Sequence, residues 1–182
     1  GFGAQSIVKD GLTGFFILLE NQFGVGDTVE VRTPANPVLG RVEWFTLRAT
    51  ALRAYDGTLN IVPNGNMVLV SNKSRGWARA IVDTPVAYQH DPELVREVLD
   101  ELFEQLRADD RVKDWVMDGP SVLGVEPTSD TGVVIRAVAE TRPSKKPEVE
   151  RLLRERITQR LAERGIRAPM PTAVHRSDEP TP

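Results

Sequence analysis

The sequence lacks several features that would point to particular functions, beginning with cysteine. None of its 182 residues is a cysteine, which excludes disulfide bonds and thiolate metal sites and fits a reducing compartment. No run approaches the roughly 18 apolar residues that a membrane-spanning helix needs, and the densest apolar run is Phe15–Leu19. The net charge of −3 gives no general attraction to nucleic acid or anionic lipid. With 40% apolar residues, the chain is nevertheless able to bury the core of one or two domains.

Residues 1–23 are predicted to form a helix, because apolar side chains recur there at helical spacing. These side chains are Phe2, Ile7, Val8, Leu12, Phe15, Phe16, Leu19 and Phe23. Glycine is also unusually frequent, and each glycine costs a helix about 1 kcal/mol relative to alanine. Close packing of neighbouring helices would offset that cost. The alternative is an amphipathic helix folded back onto its own domain.

From Gly24 the pattern changes to short strands and tight turns. Asp56-Gly57 and Asn64-Gly65 are strong turn signals because these residues tolerate a positive φ. Strands of this length and spacing predict a small barrel or sandwich over residues 24–79. The fold assigned to this domain is a small Sm-like β-barrel. The predicted strands are Val29–Arg32, Leu39–Leu47, Ala49–Ala54 and Leu59–Val62.

Residues 80–171 combine strands and helices in the order β-α-β-β-α, which is typical of a split βαβ, ferredoxin-like domain. The fold class is therefore predicted to be α+β. Residues 172–182 are assigned a last strand at Ala173–Arg176 and a disordered tail. The predicted elements are a strand over Ala80–Tyr88, a helix capped by Asp91 with Pro92 in its first turn, strands near Ser121–Glu126 and Gly132–Thr141, and a helix that Ser144 caps and Gly165 ends.

The two helices of this ferredoxin-like domain carry opposite charge. Residues 91–118 hold ten acidic and four basic residues, whereas residues 142–167 hold nine basic and four acidic residues. Both helices of a split βαβ domain lie on one face of the sheet, so mutual attraction is expected, with a contact between subunits as the alternative. Their apolar faces are predicted to be Leu94, Val95, Val98, Leu99, Leu102, Phe103 and Leu106, and Val149, Leu152, Leu153, Ile157 and Leu161.

Candidate catalytic groups are few. The two histidines, His90 and His175, lie in different segments without carboxylates at metal-ligand spacing, so both are interpreted as surface residues. Gly24–Gly26 follows a helix rather than a strand, which rejects a dinucleotide-binding loop. An enzyme that uses His90 or Asp91 at a helix start would lack a second catalytic group. We therefore predict no enzymatic activity, no metal and no cofactor.

A basic and aromatic patch supports a different function, because arginines and aromatic side chains on a small barrel are typical of proteins that bind single-stranded nucleic acid. The patch contains Arg41, Arg48, Arg53, Lys73, Arg75 and Arg79, interleaved with Trp44, Tyr55 and Trp77. The alternative function is thus an Sm-like RNA-binding module that grips RNA through Arg48, Arg53, Arg75 and Trp77. Acidic residues in the same domain dilute the charge, which favours salt-bridged arginines and core aromatics instead.

Several stretches, taken in order, resemble small-conductance mechanosensitive channels over nearly the whole chain. Residues Gly14–Asp27 resemble the junction between the pore helix and the first cytoplasmic domain of that family. Further matching stretches are Gly40–Glu43, Leu47–Thr50 through Asp56-Gly57, Ile61–Asn66 continuing into Ser71–Arg75, Val86–Tyr88 before a capped helix, and Gly165-Ile166 before a proline-bearing tail.

The resemblance implies a tension-gated ion channel that releases ions and small solutes on hypo-osmotic shock, without catalysis and without a cofactor. It implies a ring of identical subunits, seven in the best-known members, in the cytoplasmic membrane of a prokaryote. The two domains would form a hollow cytoplasmic cage with side openings, and residues 1–23 the lower part of the pore helix. The chain begins without methionine, and the membrane-crossing helices are expected before Gly1.

The same resemblance assigns roles to individual residues. Phe2 falls where the family places an apolar ring of the closed gate, Gln5 matches the family's glutamine, and Ser6 stands where the best-known member has a glycine at a helix bend. The residues expected to let neighbouring helices pack and slide are Gly3, Ala4, Gly11 and Gly14. Those expected to lie against the β domain and couple the helix to the cage are Phe15, Phe16 and Leu19. Those expected to contribute to the side openings are Asn72, Lys73, Arg75 and Arg79.

Overall fold

A computed structural model of the chain describes residues 2–129 and 132–169, in two units that comprise residues 1–76 and 77–182. The first unit contains α1 (Phe2–Leu19), β1 (Thr28–Arg32), β2 (Pro37–Phe45), β3 (Ala49–Arg53), β4 (Leu59–Pro63), a 3₁₀ turn (Asn64–Asn66) and β5 (Leu69–Asn72). The second contains β6 (Ala78–Ala87), α2 (Pro92–Ala108), α3 (Asp110–Trp115), β7 (Val116–Ser129), β8 (Gly132–Thr141), a 3₁₀ turn (Pro143–Lys145) and α4 (Lys146–Glu163). The predicted α+β class is confirmed. The strand predicted at Ala173–Arg176 lies outside the described residues.

Helix α1 ends at Leu19 rather than at residue 23, because the backbone turns left-handed just beyond it. Asn21 has a φ of 51°. The Gln22 N–H donates to the Ile17 carbonyl at 3.0 Å, which closes the last turn of the helix. Asparagine is one of the few residues besides glycine that adopts this conformation readily, and it ends helices for that reason.

The first unit contains one antiparallel sheet in the order β4-β3-β2-β1-β5. Alternating residues of its strands, together with one residue of α1 and one of the loop after it, form the core: Ile17, Phe23, Val29, Val31, Val42, Leu52 and Val62. Strand β5 was not predicted, because Leu69–Asn72 is short and its second half is polar. In the described part of the chain the domain predicted as a barrel is thus a five-stranded sheet with β4 and β5 at its edges.

The second unit contains an antiparallel sheet in the order β6-β8-β7, with α2 and α4 packed on it. A first strand paired with the third, and the third with the second, is the order that a split βαβ domain requires. The ferredoxin-like prediction is therefore confirmed. Its core includes Val82, Val86, Leu99, Phe103, Ile135, Leu153 and Ile157.

Two local predictions for this unit were wrong, and one short helix was missed. Leu94, assigned to the apolar face of α2, is 50% exposed. Ser144 does not cap α4, since it lies inside the 3₁₀ turn and the helix begins at Lys146 without a side-chain cap. Helix α3 was missed, because it is short and its polarity is high; its first turn is capped by Asp109, whose carboxylate accepts from the Arg111 N–H at 2.9 Å.

The opposite charges of α2 and α4 meet within the chain. Arg164 donates to the Glu101 carboxylate at 2.7 Å, and an Arg160 nitrogen lies 4.0 Å from the same carboxylate. The expected attraction between the two helices is therefore found between neighbouring side chains of one unit. Exposed pairs of this kind contribute at most about 1 kcal/mol each.

The outer edge of β6 is partly closed against another strand. The Ile81 N–H donates to the Glu150 carboxylate at 3.3 Å, and the Ala87 N–H donates to the Arg167 carbonyl at 3.1 Å. Pro85 lies between them at the same edge and has no N–H to donate. A strand added along this edge would therefore lose several of the ladder bonds that stabilise a sheet.

Candidate functional site: the junction of the first helix and the β domain

One narrow face of α1 is buried, and it is not the face with the most apolar side chains. Asp10, Gly14 and Ile17 follow one another at intervals of four and three, so they lie on the same side of the helix. All three are buried. Ile17 enters the core of the sheet, while the other two lie against the 3₁₀ turn after β4 and the turn before β3. This face joins the helix to the β domain.

Asn64 organises the part of the β domain that receives the helix. Its side-chain oxygen accepts from the Thr50 hydroxyl at 2.8 Å, and its side-chain nitrogen donates to the carbonyls of Thr46 and Leu47, both at 2.9 Å. Its side chain is fully buried, so a missing bond would leave a costly unsatisfied polar atom. The three bonds hold the turn before β3 and the 3₁₀ turn in one fixed arrangement.

A carboxylate and two glycines bring the helix onto this support. The Gly65 N–H donates to the Asp10 carboxylate at 2.8 Å. A Cβ on Gly65 would lie 2.7 Å from that same oxygen, and a Cβ on Gly14 would lie 2.1 Å from the Leu47 carbonyl oxygen. Both distances are too short for a real contact. At Gly14 the Leu47 backbone leaves no room for a side chain, and at Gly65 a Cβ would displace the Asp10 carboxylate that accepts from its N–H. Sequence reasoning identified Asn64-Gly65 only as a turn and missed its contact with Asp10.

The remaining surface of α1 is apolar and exposed. Seven large apolar side chains of the helix are about half exposed: Ile7, Val8, Leu12, Phe15, Phe16, Leu18 and Leu19. A contiguous apolar surface of this kind marks a site that contacts another protein or lipid. Within the described chain, the helix thus has one narrow face that is fixed to the β domain and a broad apolar face that the β domain does not cover.

The loop after α1 is fastened by a second cluster, centred on Asp27. Its carboxylate accepts from the Asn72 side chain at 2.9 Å, from the Ser74 hydroxyl at 3.0 Å and from Arg75 Nε at 3.0 Å. Arg75 also donates through its other nitrogens to the carbonyl and side-chain oxygens of Asn21. The end of α1 and the segment after β5 are therefore tied to one carboxylate.

The ionisation of Asp27 reflects this setting. Partial burial raises its pKa. Hydrogen bonds from Asn72, Gly24 and Ser74, together with the charge of Arg75, lower the pKa by more than burial raises it. The pKa of Asp27 therefore lies below its ordinary value, and the charged form is the one that holds the cluster together.

The residues assigned to the gate and to helix packing lie along the first turns of α1, which begins at Phe2. The side chain of Phe2 and the surroundings of Gly3 lie outside the part of the structure that is described. Ala4, Gln5 and Ser6 are exposed.

The two later glycines of the helix differ from each other. A Cβ on Gly11 would meet nothing within 4 Å, whereas Gly14 is pressed against Leu47 of its own β domain. Gly14 therefore serves contact with the β domain within the chain, and its role in helix–helix packing stays a prediction.

The residues predicted to couple the helix to the cage do not lie on the face of α1 that joins the β domain. Phe15, Phe16 and Leu19 are 51%, 49% and 66% exposed, and the two phenylalanine rings meet each other edge-on at 5.7 Å between centroids. These three side chains are therefore about half exposed or more in the single chain, and their role in coupling stays a prediction. Close backbone approach and a buried hydrogen bond select Asp10 and Gly14 instead.

The residues assigned to the side openings are engaged in local contacts. Asn72 and Arg75 belong to the Asp27 cluster, and Lys73 pairs with Glu30 at 2.9 Å. In the second unit, Arg79 pairs with Glu140 at 2.9 Å and lies 5.1 Å from the centre of the Trp77 ring. Each of these four side chains is therefore held by at least one hydrogen bond or ion pair within the chain.

Comparison with known protein families identifies the family of the chain that contains this junction. The family profile described as the β-domain of mechanosensitive ion channels matches residues 6–75, and that described as the C-terminal part of the mechanosensitive ion channel MscS matches residues 80–168. The chain belongs to the MscS family. One profile falls in each of its two units, and the first begins inside α1.

Relatives of known type support the same assignment. The small-conductance mechanosensitive channel of Caldanaerobacter subterraneus subsp. tengcongensis is 36% identical over 182 residues, covering 100% of this chain and 62% of that protein. The moderate conductance mechanosensitive channel YbiO of Escherichia coli is 27% identical over 171 residues, covering 94% of this chain and 22% of that protein. The MscS-family chain thus spans about three fifths of the first relative and about a fifth of the second.

Solved structures share the fold. The closed-state MscS of Helicobacter pylori matches with a TM-score of 0.72 at 21% identity, over 93% of this chain and 64% of that one. MSL1 of Arabidopsis thaliana matches with a TM-score of 0.71 at 17% identity, over 93% of this chain and 61% of that one. At such identities the likeness concerns the fold of this MscS-family chain.

The alternative of RNA binding receives no support. The Arg53 guanidinium is held by the Glu43 carboxylate through two bonds of 2.6 and 2.9 Å, and Arg75 is held by Asp27. The comparisons also match mechanosensitive channels.

The described residues contain no group of three or more His, Cys, Asp or Glu placed to hold a metal. Among these residues no helix combines the length and the apolar composition needed to cross a bilayer.

Proposed function

We propose that this chain forms the base of the pore and the cytoplasmic cage of a tension-gated ion channel, which releases ions and small solutes on hypo-osmotic shock. The observation that carries the proposal is the two-sided character of α1. One face is fixed to the β domain through Asp10, Gly14 and Ile17, and the other presents exposed apolar side chains. A helix built this way transmits movement to its domain while contacting neighbouring helices or lipid.

The gate is proposed to lie at the start of α1. Repeated around a ring, Phe2 would form an apolar constriction, which closes a pore by expelling water rather than by filling it. Gln5 and Ser6 would border the same passage, and Gly3, Ala4 and Gly11 would allow neighbouring helices to approach and slide. The open space beside Gly11 in the single chain is consistent with that role.

The other apolar side chains of α1 are proposed to contact neighbouring copies. Phe15, Phe16 and Leu19 are about half exposed or more in the single chain, and burying the remaining surface of each in a ring would stabilise it by about 1 kcal/mol. Their role in coupling would then be between subunits rather than within one. Asn72, Lys73, Arg75 and Arg79 are proposed to contribute charged and polar groups to the side openings of the cage.

The assembly is proposed to be a homo-oligomer of seven copies in the cytoplasmic membrane of a prokaryote. The lipid bilayer would be contacted through helices that precede this chain in the complete subunit. The described part would lie on the cytoplasmic side and would act without a cofactor and without catalysis. The 36% identity to a small-conductance mechanosensitive channel over the full chain supports this assignment.

The direct test is electrical recording of the complete subunit in cells stripped of their own tension-gated channels. Excised membrane patches would be subjected to increasing suction, with patches from cells lacking the subunit as the control. We expect step-like currents that appear only above a pressure threshold. Silent patches, with the protein shown to be present in the membrane, would contradict the proposal and would return attention to what the β domain binds.

A further inference from the structure

The chain that follows α4 is held to the end of β6 by a small set of hydrogen bonds. We call residues 165–169 the exit segment. Its Arg167 carbonyl accepts from the Ala87 N–H at 3.1 Å, and its Arg167 N–H donates to Nε2 of His90 at 3.1 Å. Gly165 has a φ of 70°, which turns the chain back after the helix, and Ile166 is buried in the core. One residue thus carries both backbone bonds that fasten the segment.

The position of His90 is itself fixed by the turn after β6. The His90 N–H donates to the Ala87 carbonyl at 3.1 Å, so the imidazole stands beside the strand end that also binds Arg167. Ala87 and His90 together therefore form a two-point clamp, one point being a backbone N–H and the other a side-chain nitrogen. Only the second point depends on protonation.

The contacts of Nε2 define the protonation state in which the clamp closes. A backbone N–H is always a donor, so Nε2 must offer its lone pair to Arg167, and the ring proton must be on Nδ1. The side-chain nitrogen of Gln89 lies 3.3 Å from the same atom, which places a second donor there. An imidazolium ring has no lone pair on either nitrogen, and its Nε2–H would face the Arg167 N–H.

We propose that His90 is an acid-sensitive latch, which holds the exit segment against β6 while the imidazole is neutral and releases it when the imidazole is protonated. The proposal extends beyond channel function and does not depend on it, because it concerns the fastening of one segment within the second unit. It also gives a role to His90, for which the sequence predicted only a position on the surface.

The surroundings set the direction of the response. On α2, the Asp91 carboxylate is occupied as a cap that accepts from the Glu93 N–H at 3.0 Å, and Glu93 is the next charge on that helix. On the exit segment, Arg167 carries a positive charge of its own. At the start of β8, Gly132 adds none. Protonation of the imidazole therefore opens the latch, and loss of that proton closes it.

The test is hydrogen exchange of the complete subunit, followed by mass spectrometry at about pH 8 and about pH 5.5, on either side of the ordinary imidazole range. Exchange is corrected for its intrinsic dependence on pH, and the readout is the protection of the peptide that contains Ile166–Ala168. We expect protection to fall at the lower pH by roughly five- to tenfold, which corresponds to the loss of one hydrogen bond.

Two variants separate the latch from other acid effects. His90→Gln supplies a side-chain oxygen that accepts at every pH, so its exit segment should stay protected at both values. His175→Gln removes the other histidine of the chain and should leave the pH response unchanged. Equal protection of the wild-type segment at the two pH values would overturn the proposal. A response that persists in His90→Gln would overturn it as well, because another group would then be titrating.

Discussion

At the scale of single residues, the junction depends on side chains that are missing as much as on those that are present. Gly14 and Gly65 allow backbone and carboxylate to approach where any Cβ would collide. Asp10 then supplies the one acceptor that the buried Gly65 N–H needs. The three positions are therefore far less tolerant of substitution than the exposed apolar residues around them.

The two glycines in the middle of α1 should respond in opposite directions to the same change. Gly14→Ala should destabilise the chain by about 1–3 kcal/mol, because its Cβ would force the Leu47 carbonyl to move. Gly11→Ala should stabilise it by about 0.5–1 kcal/mol, because alanine favours the helix and the site is open. Urea unfolding followed by circular dichroism measures both. Equal effects of the two variants would contradict the assigned contact.

Position 10 should tolerate asparagine but not alanine. Asp10→Asn keeps an acceptor for the Gly65 N–H and should change the free energy of unfolding little. Asp10→Ala leaves that N–H buried without a partner and should cost about 1–3 kcal/mol. The same urea titration tests the pair. A loss in Asp10→Asn as large as that in Asp10→Ala would show that charge, rather than the hydrogen bond, holds the helix.

At the scale of elements, the Asp27 cluster ties the end of α1 to the segment after β5 and should make that attachment sensitive to acid. The pKa of Asp27 in the folded chain lies below its unfolded value. Its contribution to stability is therefore fully present above about pH 4 and is lost as the pH falls through the folded-state pKa.

Asp27→Asn should accordingly remove part of the acid dependence of stability. Urea midpoints measured from about pH 6 down to about pH 2.5 should fall less steeply in the variant than in the wild type. Asp114→Asn is a suitable control, because that carboxylate is exposed and makes no contact of this kind within the described residues. Parallel curves for wild type and Asp27→Asn would contradict the role of the cluster.

The apolar face of α2 offers a second comparison between neighbouring turns of one helix. Leu99 is fully buried in the core of the second unit, whereas Leu94 is half exposed. Leu99→Ala should cost about 2–5 kcal/mol through lost burial and the cavity it leaves. Leu94→Ala should cost no more than about 0.5 kcal/mol. Thermal and urea unfolding would show whether the two substitutions separate by this margin.

At the scale of the whole molecule, the prediction concerns the proposed gate. Replacing the apolar ring by Phe2→Ser should make the constriction easier to wet and lower the tension at which the channel opens. Tyr55→Ser is the matched control, since Tyr55 is a fully exposed aromatic residue at a hairpin tip of the β domain. Patch recordings of complete subunits measure both thresholds. An unchanged threshold in Phe2→Ser would remove Phe2 from the gate.

Much of the architecture was predictable because it depends on local patterns. The turn signal at Asp56-Gly57, the cap formed by Asp91 and the periodic apolar residues of α2 each act over a few residues, and all three lie where the structure places the corresponding elements. The motifs resembling mechanosensitive channels gave the family, which the two family profiles confirm. Helix α3 and strand β5 escaped because they are too short to show a period.

The sequence by itself therefore determined the order of the longer helices and strands, the α+β class and the family. Only the tertiary structure decided which side of α1 meets the β domain, because apolar residues surround most of that helix and periodicity could not distinguish its faces. The deciding contacts join residues that are far apart in the sequence. Asp10 and Gly65 are separated by 55 positions, and Asp27 and Arg75 by 48. Such pairings depend on how the strands between them are arranged, and no local pattern contains that information.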